Sequence, residues 1–268
     1  PADIEAIHAE GADFWPLCLA RELDDAILHL RTNEPELGTW VIATNGEAAM
    51  VLAADEALAA NADHWLVREI ILYLKRTFKR LDVTSRSIIA LVEPASCFAG
   101  TLFELALAAD RSYMLDGAFA GDRSPPATIR LTAMNFAPYP MGNGLTRLQT
   151  RFLEDGERME TLRREIGAEL DAEAADELGL VTFIPDDIDW QDEVRLAVEE
   201  RASFSPDSLT GMEASLRFAG PETIETKIFG RLSAWQNWIF QRPNAVGEEG
   251  PLKRFGTGKK PSFDVKRV

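Results

Sequence analysis

Cysteine is scarce in this 268-residue chain. Cys18 and Cys97 stand far apart at no metal-ligand spacing, which argues against a disulfide framework and for a reducing, cytoplasmic setting. Histidine is nearly as scarce. His8, His29 and His64 are isolated, so no metal site is expected and Ser–His nucleophilic catalysis has no anchor. No apolar run approaches the length of a membrane span, and no secretory leader is visible. The chain also lacks a P-loop, a G-x-G-x-x-G turn and a G-x-S-x-G elbow. Positive charge is in short supply. Lys and Arg number 28 against 44 Asp and Glu, a formal charge of −16, which argues against nucleic acid as a partner. Repeats and low-complexity tracts are absent. The first residue is Pro1 rather than Met, so the expectation is a processed or partial piece.

What the chain does have is organised around Ser87–Tyr113, SIIALVEPASCFAGTLFELALAADRSY. The apolar run Ile88–Val92 reads as a strand buried on both faces, ended by Pro94. Small residues follow: Ala95, Ser96, Ala99 and Gly100. Leu102–Ala109 then reads as a helix and Arg111–Leu115 as another strand. A small-residue turn feeding a helix start exposes backbone N–H groups that can hold the oxygen of a polarised carbonyl. One charge, Glu104, sits a turn beyond. Two readings of it stand open: a group reaching a bound molecule, or a solvated acid favoured by the helix dipole.

The flanking segments are ordinary for an α/β chain. Helical period marks Phe14–Leu30, a turn falls at Asn33–Gly38, and Thr39–Ala43 reads as a strand before the Asn45-Gly46 turn. Helical composition resumes within Met50–Leu58. Ala62–Leu81 is the clearest helix, with Leu66, Ile70, Leu74, Phe78 and Leu81 on one stripe. Its other faces carry Arg68, Lys75, Arg76, Lys79 and Arg80, either a solvated face or a set of phosphate partners. Gly117–Thr128 is a loop, Ile129–Thr132 a short strand, and Phe136–Gly144 an irregular segment that offers a second ligand wall. Helices are expected at Leu145–Phe152, Gly156–Ile166 and Asp171–Leu178, the last ended by Gly179, and a final strand at Leu180–Ile184. Trp190–Ala202, Ser208–Phe218 and Glu222–Phe240 read as helices, the last closing on Trp235, Trp238 and Phe240. From Pro251 onward the chain is basic, carrying Lys253, Arg254, Lys259, Lys260, Lys266 and Arg267 against one acid, Asp264.

The order of these parts resembles the crotonase (enoyl-CoA hydratase/isomerase) superfamily. Met50–Asp55 is similar in length to its F-S/C-A/S-G-x-D motif, with Ala53 at the usual glycine. Gly100–Ala106 is similar to G-G-G-x-E-L-A, with only the first glycine kept. Pro140–Leu148 looks like P-G-x-G-G-x-x-R-L, and Asp171–Val181 like D-A-x-x-A-x-x-L-G-L-V. Over nearly its whole length, and most specifically at WQNWIFQRPNAVGEEGPLKRFGTG, the chain resembles the carboxyl-terminal half of the benzoyl-CoA-dihydrodiol lyase family.

The resemblance implies an α/β crotonase-like spiral sheet wrapped by helices. Residues 1–189 would form the core, expected to lack its first strands, and 190–268 a helical extension with a basic arm. It implies ring opening of an oxidised benzoyl-CoA thioester in aerobic benzoate degradation, without metal or cofactor, the CoA being part of the substrate. Leu52 and Thr101 would offer N–H groups, Glu104 would transfer a proton, and Ala53, Gly100, Met141 and Gly142 would line the thioester. Partners implied are a homo-oligomer or the amino-terminal crotonase-like half, with no membrane. The departures are informative. The family's second glutamate falls at Ala133, and Ala53, Thr101 and Leu102 replace glycines, narrowing the approach to the backbone. Glu104 alone cannot place and remove protons on two sides of a water unless Asp122 or another acid reaches in. A non-catalytic scaffold half is therefore the rival expectation. A plain enoyl-CoA hydratase is weakened by the same missing acid.

Overall fold

The structure, a computed structural model, describes residues 3–220 and 222–266. Its regular sheet has three parallel strands in the order β1 (Thr39–Ala43), β2 (Ser87–Val92) and β3 (Arg111–Met114). The expected strand at Ile88 is the central one, and five of its six residues are buried. Parallel neighbours need crossovers, and helices supply them. Before β1 come α1 (Ile4–Glu10) and α2 (Trp15–Thr32). Between β1 and β2 lie α3 (Ala48–Ala60) and α4 (Trp65–Asp82), and between β2 and β3 lies α5 (Gly100–Leu107). All eight residues of α5 are buried, as expected for an apolar helix with no polar face.

The stripe on α4 holds. Ile70, Leu74, Phe78 and Leu81 are buried, Leu66 is partly so, and α4 packs on α2. Two of the basic residues of α4 turn to an acid of the neighbouring helix. Arg80 pairs with Asp24 of α2, and Arg76 lies 3.9 Å from the same carboxylate. After β3 the chain forms a second tier of isolated bridges rather than strands. Ile129 pairs with Leu170, Leu131 with Ile166, and Ala99 with Arg130. The strand expected at Leu180–Ile184 shrinks to one bridge, Tyr113 with Phe183; Pro185 has no N–H to donate, although its carbonyl still accepts from Asp116 at 2.9 Å.

Three short helices follow: α6 (Arg147–Arg151), α7 (Gly156–Arg164) and α8 (Ala172–Glu177). Then come α9 (Trp190–Ser203) and α10 (Pro206–Arg217). Polar contacts bolt these two to the sheet. Arg201 and Ser87 both meet Glu213, with Ser87 Oγ donating at 2.7 Å. Arg217 donates to the Leu81, Thr84 and Arg86 carbonyls and lies 3.2 Å from Asp110.

Beyond α10 the chain is a rod made of α11 (Ile224–Thr226), a π-helical stretch Lys227–Leu232, and α12 (Ser233–Ile239). Trp235 packs on Gly211 of α10 and meets Trp238 edge-on at 5.4 Å. The aromatic end is less buried than its composition implies: Trp235 and Trp238 are half-buried, and Phe240 is exposed. The helical turns α13 (Pro243–Val246) and α14 (Pro251–Arg254) lead into an extended arm. Asn244 fixes it, donating to the Asp264 carbonyl at 3.0 Å and accepting from its N–H at 2.8 Å. The arm is thus anchored on its own preceding turn. Pro1 and Arg267 lie outside the described residues.

Candidate active site

The small-residue turn after β2 behaves unlike the open donor site expected of it. Ala95 takes a left-handed conformation (φ 67), and its carbonyl accepts from Gly46 at 3.0 Å, closing the loop onto the end of β1. Every N–H at the start of α5 is then taken. Gly100 donates to the Arg130 carbonyl at 2.9 Å, and Leu102 and Phe103 both donate to the Ala99 carbonyl, at 2.9 and 3.2 Å. The remaining N–H, on Thr101, donates to Asp55 Oδ2 at 2.9 Å.

Asp55 comes from α3, on the face it shares with Val51 and Leu58 at helical spacing. Its carboxylate also accepts from Thr132 Oγ1 at 2.8 Å and from Thr101 Oγ1. Burial pushes Asp55 above the usual carboxylate range, opposed by hydrogen bonds from Thr101 and Thr132. Gly100 has φ +41, and a Cβ there would overlap both the Asp55 carboxylate and the Thr132 side chain. That explains why the first glycine of the motif survives while its neighbours do not. Leu52 and Ala53 sit on α3 as its fifth and sixth residues, where a helix consumes its own N–H groups. Neither Leu52 nor Thr101 therefore presents an N–H to a carbonyl oxygen, contrary to expectation.

Glu104 is 1 % exposed, with both oxygens engaged. Asn135 Nδ2 donates to Oε1 at 2.8 Å, and Arg147 Nη1 to Oε2 at 2.9 Å. Arg147 also donates to Asp82 Oδ1 at 2.7 Å and to the Phe78 carbonyl at 3.0 Å. Burial pushes Glu104 and Asp82 upward, with Arg147 pulling the other way. Neither open reading of Glu104 fits this geometry: it meets neither solvent nor a cavity, and it ties α5 to α4 and α6. Arg147 was legible as the motif arginine, but its role was not. The usable signal was the need of any carboxylate inside an apolar helix for a buried cation. Asn135, Asp82 and Asp55's role had no such signal.

The predicted residues do not converge. A cavity of about 830 Å³ lies between the start of α2, the end of β1 and α3, with Cys97 and Leu102 on its inner wall. Ala53 lines it, but Leu52, Gly100, Thr101 and Glu104 do not. Its wall carries Glu47 and Glu56 and no Lys or Arg. Met141 lines a different cavity of about 380 Å³ near the carboxyl end of α5, and Gly142 packs on the Phe218 ring. Ala133 is exposed, and Asp122 stays on the surface, accepting from its neighbour Ser124. Among the described residues there is no cluster of His, Cys, Asp and Glu suited to a metal ion, and no helix long and apolar enough to cross a membrane.

The architecture is the crotonase fold. It matches an enoyl-CoA hydratase/isomerase from Cupriavidus metallidurans CH34 with a TM-score of 0.63 at 21% identity, covering 93% of this chain and 86% of that one. An enoyl-CoA hydratase from Bacillus anthracis matches with a TM-score of 0.63 at 18% identity, covering 92% and 88%. In sequence the chain is similar to the benzoyl-CoA-dihydrodiol lyase of Aromatoleum evansii, 58% identical over 262 residues. The match covers 98% of this chain and 46% of that protein, so the chain spans about half the length of this curated relative. No protein-family model matches the chain.

Proposed function

We propose that this chain is a portion of a benzoyl-CoA-dihydrodiol lyase, the enzyme that opens the ring of an oxidised benzoyl-CoA thioester. The observation that carries the reading is the 58% identity sustained over 98% of the chain. Within that enzyme, we propose that this portion is a non-catalytic crotonase-like half that supports the rest. Its α5 donors are consumed internally, its Glu104 is locked to Arg147, and the second acid's position holds an exposed Ala133. The cavity beside α3 has acids and no cation on its wall, a poor match for the phosphates of CoA. The CoA thioester would then be bound by the remainder of the lyase, with this half as its partner surface.

The test compares the full-length protein with this chain alone, using the oxidised benzoyl-CoA and crotonyl-CoA as substrates. The full-length protein is expected to open the ring, and the isolated chain to turn over neither substrate. A full-length protein without lyase activity would overturn the family reading. An isolated chain working in the ordinary enzyme range, about 1–1000 per second, would overturn the division of labour.

A further inference from the structure

We propose that the start of α5 is a carboxylate-binding cradle whose resident ligand is the chain's own Asp55, and that this occupancy closes the position to a thioester carbonyl. Three donors converge on one carboxylate: Thr101 N–H at 2.9 Å, Thr132 Oγ1 at 2.8 Å and the Thr101 hydroxyl. Each is held from behind. Thr101 Oγ1 lies 3.1 Å from the hydroxyl of Tyr139, which is buried and edge-on to Phe78. Thr132 is fixed by a capping box in which its N–H donates to Asn135 Oδ1 at 3.0 Å. Asn135 is fixed in turn by the Gly100 carbonyl and Glu104. The cradle is therefore preorganised by groups other than its ligand.

No guanidinium or ammonium contacts Asp55 among the described residues, so its charge is balanced by dipoles alone. An ionised carboxylate is a stronger acceptor than a neutral thioester carbonyl. Delivered by a helix packed alongside, it also competes at the high effective concentration of an intramolecular ligand. Asp55 accordingly holds the Thr101 N–H against any incoming carbonyl. It is the residue that decides what this position accepts. The proposal rests on the preceding reading only in treating the filled position as one a thioester would otherwise use. The carboxylate occupancy is tested without any thioester.

The experiment is chemical rescue of Asp55→Ala, with thermal unfolding followed in sodium formate and in sodium chloride at equal ionic strength. The variant is expected to unfold at a lower temperature than the parent chain. It should regain stability in formate but not in chloride, with a midpoint that climbs with the logarithm of formate concentration. The parent chain should respond equally to both salts. If Asp55→Ala does not fold, its refolding yield in the two salts replaces the midpoint as the readout. A second variant, Thr132→Val on the Asp55→Ala background, removes one donor and should weaken the formate response. Identical behaviour of Asp55→Ala in formate and chloride, in midpoint or in yield, would overturn the proposal. So would a formate response untouched by Thr132→Val. Neither readout depends on lyase activity, so the proposal and the lyase reading can fail separately.

Discussion

The start and the flank of one helix each border a buried carboxylate, and the two are satisfied in opposite ways. Near the start of α5, Asp55 is 3 % exposed and is met by two hydroxyls and one N–H. Along its flank, Glu104 is 1 % exposed and is met by a guanidinium that also serves Asp82. The first arrangement balances charge with small dipoles supplied by Thr101 and Thr132. The second balances it with a full countercharge drawn from α6, 43 residues further along the chain. Sequence distance does not separate them, since Asp55 draws its donors from 46 and 77 residues away; the kind of partner does. Asp55 fills a hole at a helix start, whereas Glu104 is one strut of a three-residue bridge that joins α4, α5 and α6.

The largest effect should come from the bridge. Arg147→Met strands Glu104 and Asp82 without their cation and is expected to cost about 3–5 kcal/mol in denaturant unfolding. A loss near zero would mean that the bridge does not hold the helices together. Glu104→Gln keeps the shape and leaves Arg147 paired with Asp82, so a smaller loss is expected, about 1.5–3 kcal/mol. In the full-length protein, if it has the proposed lyase activity, the same variant should alter melting and leave kcat unchanged. A collapse of kcat with intact stability would return Glu104 to a catalytic role.

Asp55 gives the comparison its pH signature. Its folded pKa is raised above 3.8, so the native state keeps a proton that the unfolded chain has already lost. The part of its contribution that comes from this retained proton is therefore fully present below pH 3.8 and is lost as pH rises through the folded value. Asp55→Asn removes this dependence. The difference in unfolding free energy between parent and Asp55→Asn should shift toward the variant as pH climbs from 3.8. A difference that stays flat, or moves the other way, would place Asp55 among ordinary stabilised carboxylates.

The smallest effect should come from the arm, which shares none of these networks. Phe255 is 90 % exposed, and Phe255→Ala should change stability by no more than about 0.5 kcal/mol. Truncation after Phe240 also removes the ion pair of Arg242 with Asp207, at 3.1 Å, and should cost somewhat more, in a salt-dependent way. Unchanged melting at low and high salt after that truncation would leave the arm without a role in the folding of this chain.

Much of the fold was determined by the sequence alone. The apolar run at Ile88–Val92, the stripe on α4 and the Gly179 stop are local patterns whose period or punctuation needs no partner to be read. The crotonase resemblance was carried by short segments around Gly100, Pro140 and Asp171, which settle into this fold. What only the tertiary structure decided is where the polar groups go. Asp55 and Thr101 stand 46 residues apart, and Glu104 and Arg147 stand 43 apart. A free N–H at a helix start looks the same in sequence whether a ligand or the chain's own carboxylate answers it. Secondary structure follows from neighbours along the chain, whereas the satisfaction of a buried polar group depends on whichever side chain packing brings within about 3 Å.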